Sequence, residues 1–488
     1  MHIAPHEWLH PAQQRLQVGR SALTDIRTID HLGLYRQLAD GQPTATARRQ
    51  GADFLNAQLT QVQGEPCDIP DAPQDLALWM ASSFQTVHGQ YGQYLQQRKA
   101  GSPRRYFSNR AHALYFLRSV APTKLVDGAW LYGVLTHWSN PRLSDLVRTY
   151  VEELGEGAPD KNHVLVYRRL LARYGLDPLD DLADGAYRQG LIQLALGYNV
   201  KRFLPEIIGF NLAYEQLPLH LLITAYELNE LGLDPYYFTL HVTVDNGDTG
   251  HARRACQAVL DNLPRLDDGG AFWQRVRQGS KLANAGIGTA EVIAGFDIDA
   301  EVRRILIRKS AAGSGVHSDY CRVAGRSVND WLSSADSVPS FLQALENTGW
   351  VRRGEPAANS RFWKLLQGER AEMFGVFSSY ELQVIHDWIL GDASVNGQSY
   401  LNVTAAEGSA PVRSFRVSQR LARDAHPSKV AEVDSGTSGD LLDSDLALLK
   451  RQLGDPDCDN RQLILKAMSP SQHWTPAGLY ATRLFCEA

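Results

Sequence analysis

Four potential metal ligands lie within eleven residues of the segment Tyr237–Ala255: His241, Asp245, Asp248 and His251. If this segment is a helix with about 100° between successive residues, the first three side chains fall within roughly 60° of one another. His251 follows Asp248 at i+3 and can join the same cluster. A polar helix face would explain any one of these residues. Four together among apolar neighbours favour a metal site.

The spacing within this cluster predicts an irregular helix. In a regular helix His251 would lie about 120° from Asp245, which is too far for the two to share one metal ion comfortably. Either the helix bulges or unwinds near Gly247 and Gly250, or Asp248 replaces Asp245 at the metal. We expect the irregularity, because glycine lowers its conformational cost and bulged helices recur at functional sites.

The segment Phe203–His241 precedes the cluster and carries two carboxylates among apolar residues. Its pattern predicts one long helix, a Gly-Leu-Asp-Pro stop, and then the helix with the cluster. Glu206 and Glu215 lie in the first half of this segment. A buried carboxylate is costly unless it is paired or coordinates a cation, so both are candidate ligands.

Together these residue types, their order and their rough spacing resemble the haem-oxygenase-like iron-containing oxidases and oxygenases. That family binds non-haem iron, often two ions, within a helical bundle. Its signature is an early Glu and His, a Glu on a middle helix, and H-x3-D-x2-H on a later helix. His241 and Asp245 match the start of the last motif, but three extra residues separate Asp245 from His251. Asp248 and His251 alone match its D-x2-H half, so which aspartate binds metal directly stays open.

The resemblance covers roughly residues 105–310 and implies ligands elsewhere in the chain. The early Glu of the signature matches Glu153, with the preceding residue, Glu152, as the alternative. The middle-helix Glu of the signature matches Glu215, with Glu206 as the alternative. The implied metal ligands are Glu153, His163, Glu215, His241, Asp245, Asp248 and His251.

Carboxylate and imidazole groups together suit Fe(II) or Mn(II), and open positions on such iron sites admit dioxygen. Six or seven groups can hold two ions, as di-iron helical bundles do. A zinc hydrolase needs only three protein ligands, an iron–sulfur centre needs thiolates, and haem needs no carboxylate-rich cavity. The resemblance implies a non-haem di-iron oxygenase or oxidase with Fe(II), where Mn is an alternative. It also implies dioxygen and a small amino-acid- or fatty-acid-derived substrate as partners, an external electron donor, and a role in natural-product biosynthesis.

Composition sets broader limits. The 488-residue chain has 44% hydrophobic and 21% charged residues, as ordinary globular proteins do. Its net charge of −5 provides no reason to expect nucleic acid as a partner. We also expect no membrane partner, because no apolar run reaches spanning length. The start of the chain lacks a signal-peptide pattern. Five scattered cysteines without CxxC spacing predict reduced thiols in the cytoplasm.

The expected fold is all-α, with a haem-oxygenase-like bundle between helical N- and C-terminal extensions. A stretch rich in Gly and Ser predicts a linker or long loop near the C-terminus. The expected divisions are an N-terminal extension over 1–104, the bundle over 105–312, a helical region over 313–392, the linker over 393–440, and a tail over 441–488 that packs on the body.

Two other functions compete with the oxygenase hypothesis. The first is a helical binding or scaffold protein with a vestigial metal site. The second is a cofactor-free hydrolase on the same fold, as in thiaminase-type proteins, which requires a catalytic cysteine in the bundle. Cys256, about one turn after His251, is the only candidate for that nucleophile.

Overall fold

The structure is a computed structural model that describes most of the chain. It covers residues 30–391 and 443–487, apart from 177–178, 180, 245–249, 267–268, 314, 316, 318–319 and 369–370. Two of the predicted ligands, Asp245 and Asp248, and the predicted linker over 393–440 therefore lie outside the described residues.

The described residues are mostly helical, and the expected all-α class with a central haem-oxygenase-like domain and flanking helical regions is confirmed. The β structure found among them is one antiparallel pair of two-residue strands, which was not predicted. The first helices along the chain are α1 (His31–Ala39), α2 (Ala45–Gln61), α3 (Leu76–Lys99), α4 (Arg110–Ser119), α5 (Ala121–Lys124), α6 (Ser144–Glu153), α7 (His163–Tyr174) and α8 (Arg188–Tyr198). A 3-10 segment, Ala129–His137, lies between α5 and α6.

The second half of the bundle departs from the predicted pattern at one place and follows it at another. One helix was expected to run through Glu215, but Pro218 has an extended backbone and separates α9 from α10. The expected irregularity of the cluster helix is present at Gly250, which has an extended backbone, and a new helix begins at His251. The elements here are α9 (Val200–Tyr214), α10 (Leu219–Glu230), α11 (Tyr236–Val244), α12 (His251–Asn262) and α13 (Gly270–Lys281).

The C-terminal part consists of shorter elements that follow the bundle. They are α14 (Thr289–Ala294), α15 (Ile298–Gly313), β1 (Arg322–Val323), β2 (Arg326–Ser327), α16 (Val328–Leu332), α17 (Val338–Asn347), α18 (Arg361–Gln367), α19 (Ser379–Leu390), α20 (Ser444–Leu453), α21 (Asn460–Ala467) and α22 (Pro476–Glu487).

Two buried apolar clusters hold these elements together. The first joins α1 and α2 to the 3-10 segment, α6, α8, α9, α12, α13 and the tail helices. The second joins α4, α7, α10 and α11 to α15 and α17–α19. Within the first, α9 and α13 approach closely, because a Cβ on Gly209 would lie 1.8 Å from the Val276 carbonyl oxygen. The tail is attached by Tyr150, whose hydroxyl donates to the Met468 carbonyl at 2.7 Å.

Candidate metal centre

Six buried carboxylate and imidazole side chains meet inside the bundle. They form two groups, in each of which one ligand atom per residue lies within 4.8 Å of the others, and Glu153 belongs to both groups. None of the six residues exposes more than 7% of its surface. The first group is Asp127, Glu153, His163 and His241, and the second is Glu153, Glu215 and His251.

The ends of helices bring these side chains together. Glu153 is the last residue of α6 and His163 is the first residue of α7. Asn162 connects the two ends, because its side-chain oxygen accepts from Leu165 N–H at 3.0 Å and its amide donates to the Leu154 carbonyl at 3.2 Å. As a result, His163 Nδ1 lies 2.5 Å from Glu153 Oε2.

Asp127 reaches the centre from the turn after α5. The next residue, Gly128, has a φ of +78°, and a Cβ there would lie 2.9 Å from the Glu153 Cβ. Only glycine tolerates both the left-handed backbone and this close approach. The Asp127 turn can therefore lie directly against the end of α6.

In the first group, hydrogen bonds determine which His241 nitrogen faces the centre. Nδ1 of His241 lies 2.8 Å from the Tyr237 carbonyl, which can only accept, so in the neutral imidazole Nδ1 carries the proton. The lone pair on Nε2 then faces Asp127 Oδ2 at 3.1 Å. Two acceptors at this distance require a cation between them, either a proton or a metal ion.

In the second group, both ring nitrogens of His251 face carboxylates. Nε2 lies 3.0 Å from Glu152 Oε2, and a neutral imidazole that donates its proton there would have its lone pair on Nδ1. Nδ1 then faces Glu215 Oε2 at 3.0 Å and Glu153 Oε1 at 3.3 Å. Oε2 of Glu153 faces His163 in the first group, so the two oxygens of this carboxylate face different groups.

The surrounding charges keep Asp127 and Glu152 ionised. Burial alone would raise the pKa of Asp127, but the Lys124 ammonium and the hydrogen bond with His241 outweigh burial and hold that pKa well below its usual range. Burial also opposes ionisation of Glu152, yet its hydrogen bonds with His251 and Arg148 lower its pKa to about 2. Ionised carboxylates are the form that binds metal.

The donor set fits iron. Three carboxylates and three imidazoles without a thiolate suit Fe(II) or Mn(II), and inward-facing groups from several helices are the arrangement of di-iron bundles. Cys256 is not a competing nucleophile, because burial raises the pKa of its thiol to about 11 and its sulfur packs 3.8 Å from Met80 Sδ.

The structure brings together five of the seven residues predicted from the sequence, and whether they bind metal stays a prediction. Those five are Glu153, His163, Glu215, His241 and His251, whereas Asp245 and Asp248 lie outside the described residues. In each of the two pairs of alternatives, the structure places the favoured residue in the groups: Glu153 and not Glu152, and Glu215 and not Glu206. Glu152 lies outside both groups, where it faces Nε2 of His251 and pairs with Arg148 and Arg254. Glu206 accepts two hydrogen bonds from Arg275 at 2.6 and 2.7 Å and belongs to neither group.

Sequence reasoning missed Asp127. A signal was present, because Asp127 is a lone carboxylate in the apolar stretch 125–135, the same signal that identified Glu215. It lacks a second ligand at helical spacing, so only the fold places it beside His241.

A cavity of about 330 Å³ opens onto the centre. Its walls include Asp127, Glu153, Glu215 and His241 together with Lys124, so it is suitably placed for a substrate. A second cavity of about 720 Å³ adjoins it and is walled on one side by α3 and the residues before it. The two cavities share the lining residues Ala213, Gln216, Pro218, Ala283 and Asn284.

Among the described residues, no helix has the length and apolar character that a bilayer-spanning segment requires. No curated protein and no solved structure matches the chain significantly. A family model does match its central part, over residues 114–284, a range that contains all six residues of the two groups. The resemblance seen in the sequence is thereby confirmed: residues 114–284 match the family of iron-containing redox enzymes.

Proposed function

We propose that the chain is a non-haem iron oxygenase or oxidase that binds two ferrous ions and uses dioxygen to oxidise a small organic substrate. The observation that carries this proposal is the pairing of acceptors at the centre. Nε2 of His241 faces Asp127, and Nδ1 of His251 faces Glu215 and Glu153. Two separate places that each need a cation, with one carboxylate shared between them, fit a pair of metal ions.

Each ion has its own ligands in this proposal. Asp127, Glu153, His163 and His241 would hold the first ion. Glu153, Glu215 and His251 would hold the second. Bound ferrous iron supplies the electrons that reduce dioxygen.

The chain's own groups keep the ligand nitrogens free of protons. The Tyr237 carbonyl holds the proton of His241 on Nδ1, and Glu152 holds the proton of His251 on Nε2. The Tyr237 hydroxyl donates to Asp127 Oδ2 and orients that carboxylate. The 330 Å³ cavity places a substrate against four of the six ligands and limits its size.

Iron uptake and the reaction with air test this proposal. Fe(II) is added to the full chain without oxygen, bound iron is measured by elemental analysis, and air is then admitted while visible absorption is followed. We expect two iron ions per chain and a transient visible band. Glu206→Gln serves as a matched control, because it removes a buried carboxylate outside the centre and should keep both ions. A folded wild-type chain that takes up no iron would contradict the proposal and favour a scaffold with a vestigial site.

A further inference from the structure

The C-terminal tail, residues 443–487, lies outside the part of the chain that matches the family model, yet it contacts the unit that carries two candidate ligands. This unit consists of α6, the turn over residues 154–162, and α7. Glu153 is at the end of α6 and His163 is at the start of α7. His473, between α21 and α22, reaches this turn although it is 311 residues from Asn162 along the chain.

Contacts with the turn and with α7 hold the tail against this unit. Arg483 of α22 donates to the Gly157 carbonyl at 2.9 Å. The two segments are in close contact, because a Cβ on Gly157 would lie 2.5 Å from the Leu479 carbonyl oxygen. Arg168 of α7 lies over the Trp474 ring, with its guanidinium carbon 3.8 Å from the ring centre. The tail is therefore packed closely against the segment that joins the two ligands.

Asn162 makes the tail contact that is nearest to the candidate ligands in the chain. Its side-chain amide donates to His473 Nδ1 at 3.1 Å and to the Leu154 carbonyl at 3.2 Å. His473 is 1% exposed, and burial lowers the pKa of its ring to about 3, so the ring is neutral and Nδ1 can accept. The side-chain oxygen of Asn162 accepts from Leu165 N–H and caps α7. One side chain thus connects the tail, the end of α6 and the first turn of α7.

The spacing of the two candidate ligands depends on this connection. Glu153 immediately precedes Leu154, whose carbonyl Asn162 binds, and His163 immediately follows Asn162. Neither ligand can shift far without moving a group that Asn162 holds. Groups that orient metal ligands without binding the metal typically change metal affinity by about 10- to 100-fold when they are removed. Asn162 is such a group, and His473 fixes it from the tail.

We propose that His473 is a positioning residue of the metal centre, which acts through Asn162 to hold Glu153 and His163 at the spacing that the ion of the first group requires. The tail is then a functional part of the centre as well as a cover on the bundle. This inference rests on the proposed iron binding for its chemistry. Its geometric part can be measured in the protein without iron.

The test compares variants of the full chain. His473→Leu removes the acceptor for the Asn162 amide, and His473→Asn replaces it, because an amide oxygen takes the position of Nδ1. Asn162→Ser keeps an oxygen that can cap α7 but is too short to reach the tail. Tyr150→Phe is the matched control, because it removes a different buried hydrogen bond of the tail, the one to the Met468 carbonyl.

Fe(II) affinity is measured by anaerobic titration with elemental analysis, and stability of the iron-free protein by chemical denaturation. We expect His473→Leu to bind the ion of the first group at least about tenfold more weakly, and His473→Asn to restore most of the affinity. Tyr150→Phe should lose comparable stability but keep the wild-type affinity. The double variant of His473→Leu and Asn162→Ser should bind iron no more weakly than Asn162→Ser alone, because both changes act on one connection.

Three outcomes overturn the proposal. Unchanged affinity in His473→Leu would show that the tail does not affect the ligands. Equal losses of affinity in His473→Leu and Tyr150→Phe would show that the tail contributes only general stability. Additive losses in the double variant would show that His473 does not act through Asn162. Should His473→Leu fail to fold, Asn162→Ser and Tyr150→Phe make the same comparison.

Failure of the proposed function is a separate result, because it appears as absent iron in a folded wild-type chain. The positioning is then measured by hydrogen exchange across the first turn of α7, which includes the Leu165 N–H that Asn162 binds. We expect faster exchange there in His473→Leu than in wild type or Tyr150→Phe. Equal exchange in all three iron-free proteins would overturn the inference.

Discussion

The chain buries carboxylates in two regions, and their partners differ. At the metal centre, Glu153 and Glu215 face histidine nitrogens. Between α15 and α19, the equally buried Glu301 and Glu381 face cations: Arg304 contacts Glu301 at 2.6 Å, and Lys309 contacts Glu381 at 2.9 Å. Arginine and lysine bring permanent positive charge, whereas a neutral imidazole brings none.

This difference separates a structural ion pair from a metal site. The carboxylates between α15 and α19 are compensated by the protein itself, and the hydroxyl of Tyr380 completes the partners of Glu301 at 2.6 Å. At the candidate centre a metal ion would supply the positive charge that neutral imidazoles do not. The charge of the facing partner, and not burial alone, is therefore what favours a metal site there.

The largest effect is expected for Glu153→Gln. The amide keeps the shape but loses the charge of the group shared by both ion positions, so bound iron should fall at least about tenfold. Elemental analysis of the anaerobically loaded protein measures the bound iron. Glu301→Gln is the matched change in the other region and should keep its iron. Equal iron in Glu153→Gln and wild type would remove Glu153 from the ligand set.

A smaller loss of iron is expected for His251→Ala. His251 belongs only to the second group, so the stoichiometry should fall from two ions to one. Removing His163 should also leave one ion, this time in the second group. Titration with Fe(II) followed by elemental analysis measures how many ions each variant binds. If His251→Ala loses both ions or neither, the two groups are not independent positions.

For Glu301→Gln we expect a loss of stability without a loss of iron, the opposite of the changes at the centre. This variant removes one of the two carboxylate partners of the partly buried Arg304, and its other partner, Asp181, remains, so the free energy of unfolding should fall by about 1.5 to 3 kcal/mol. Chemical denaturation followed by circular dichroism measures the change, and bound iron should stay at two ions. A loss of iron without a loss of stability would contradict the distinction between the two regions.

Acid should destabilise the protein through a histidine outside the centre that has no carboxylate partner among the described contacts. His112 stacks on Phe296, its Nε2 donates to the Ile293 carbonyl, and burial lowers its pKa to about 4. The unfolded chain takes up this proton near pH 6.5 and the folded chain only near pH 4, so stability is complete above pH 6.5 and falls as pH decreases. The loss should reach about 2 to 3 kcal/mol by pH 4.

Comparison of unfolding curves at pH 7 and pH 4 checks this expectation. His112→Gln lacks the titrating group and should lose less stability than wild type over the same interval. An identical loss in both proteins would assign the acid sensitivity to other groups.

The smallest effect is expected for Arg148→Ala. Arg148 is 68% exposed and pairs with Glu152 at i,i+4, a type of contact that contributes less than about 0.5 kcal/mol. Iron content should stay unchanged, because Arg254 also contacts Glu152 and remains. Loss of the second ion in this variant would show that the charge on Arg148 is needed to orient His251 through Glu152.

The sequence by itself predicted the helical class, the likeness of the central residues to iron-containing redox enzymes, and a candidate set of metal ligands. Apolar periodicity at helical spacing predicts helices because one face of each must be buried. Carboxylates and histidines among apolar residues predict a cation, because their burial is otherwise too costly. These arguments depend on neighbours in the chain, and they found Glu215, His241 and His251, whereas Glu153 and His163 followed from the resemblance to the family.

Only the tertiary structure decided the arrangement of the centre. Glu152 and Glu153 are equivalent in local pattern, and the packing of α6 against α7 and α12 determines that Glu153 lies between the groups while Glu152 orients His251. Asp127 meets His241 across 114 residues, a contact that no periodicity encodes. Ligand geometry depends on where helices end and how they pack, and those contacts between distant segments are settled only when the chain folds as a whole.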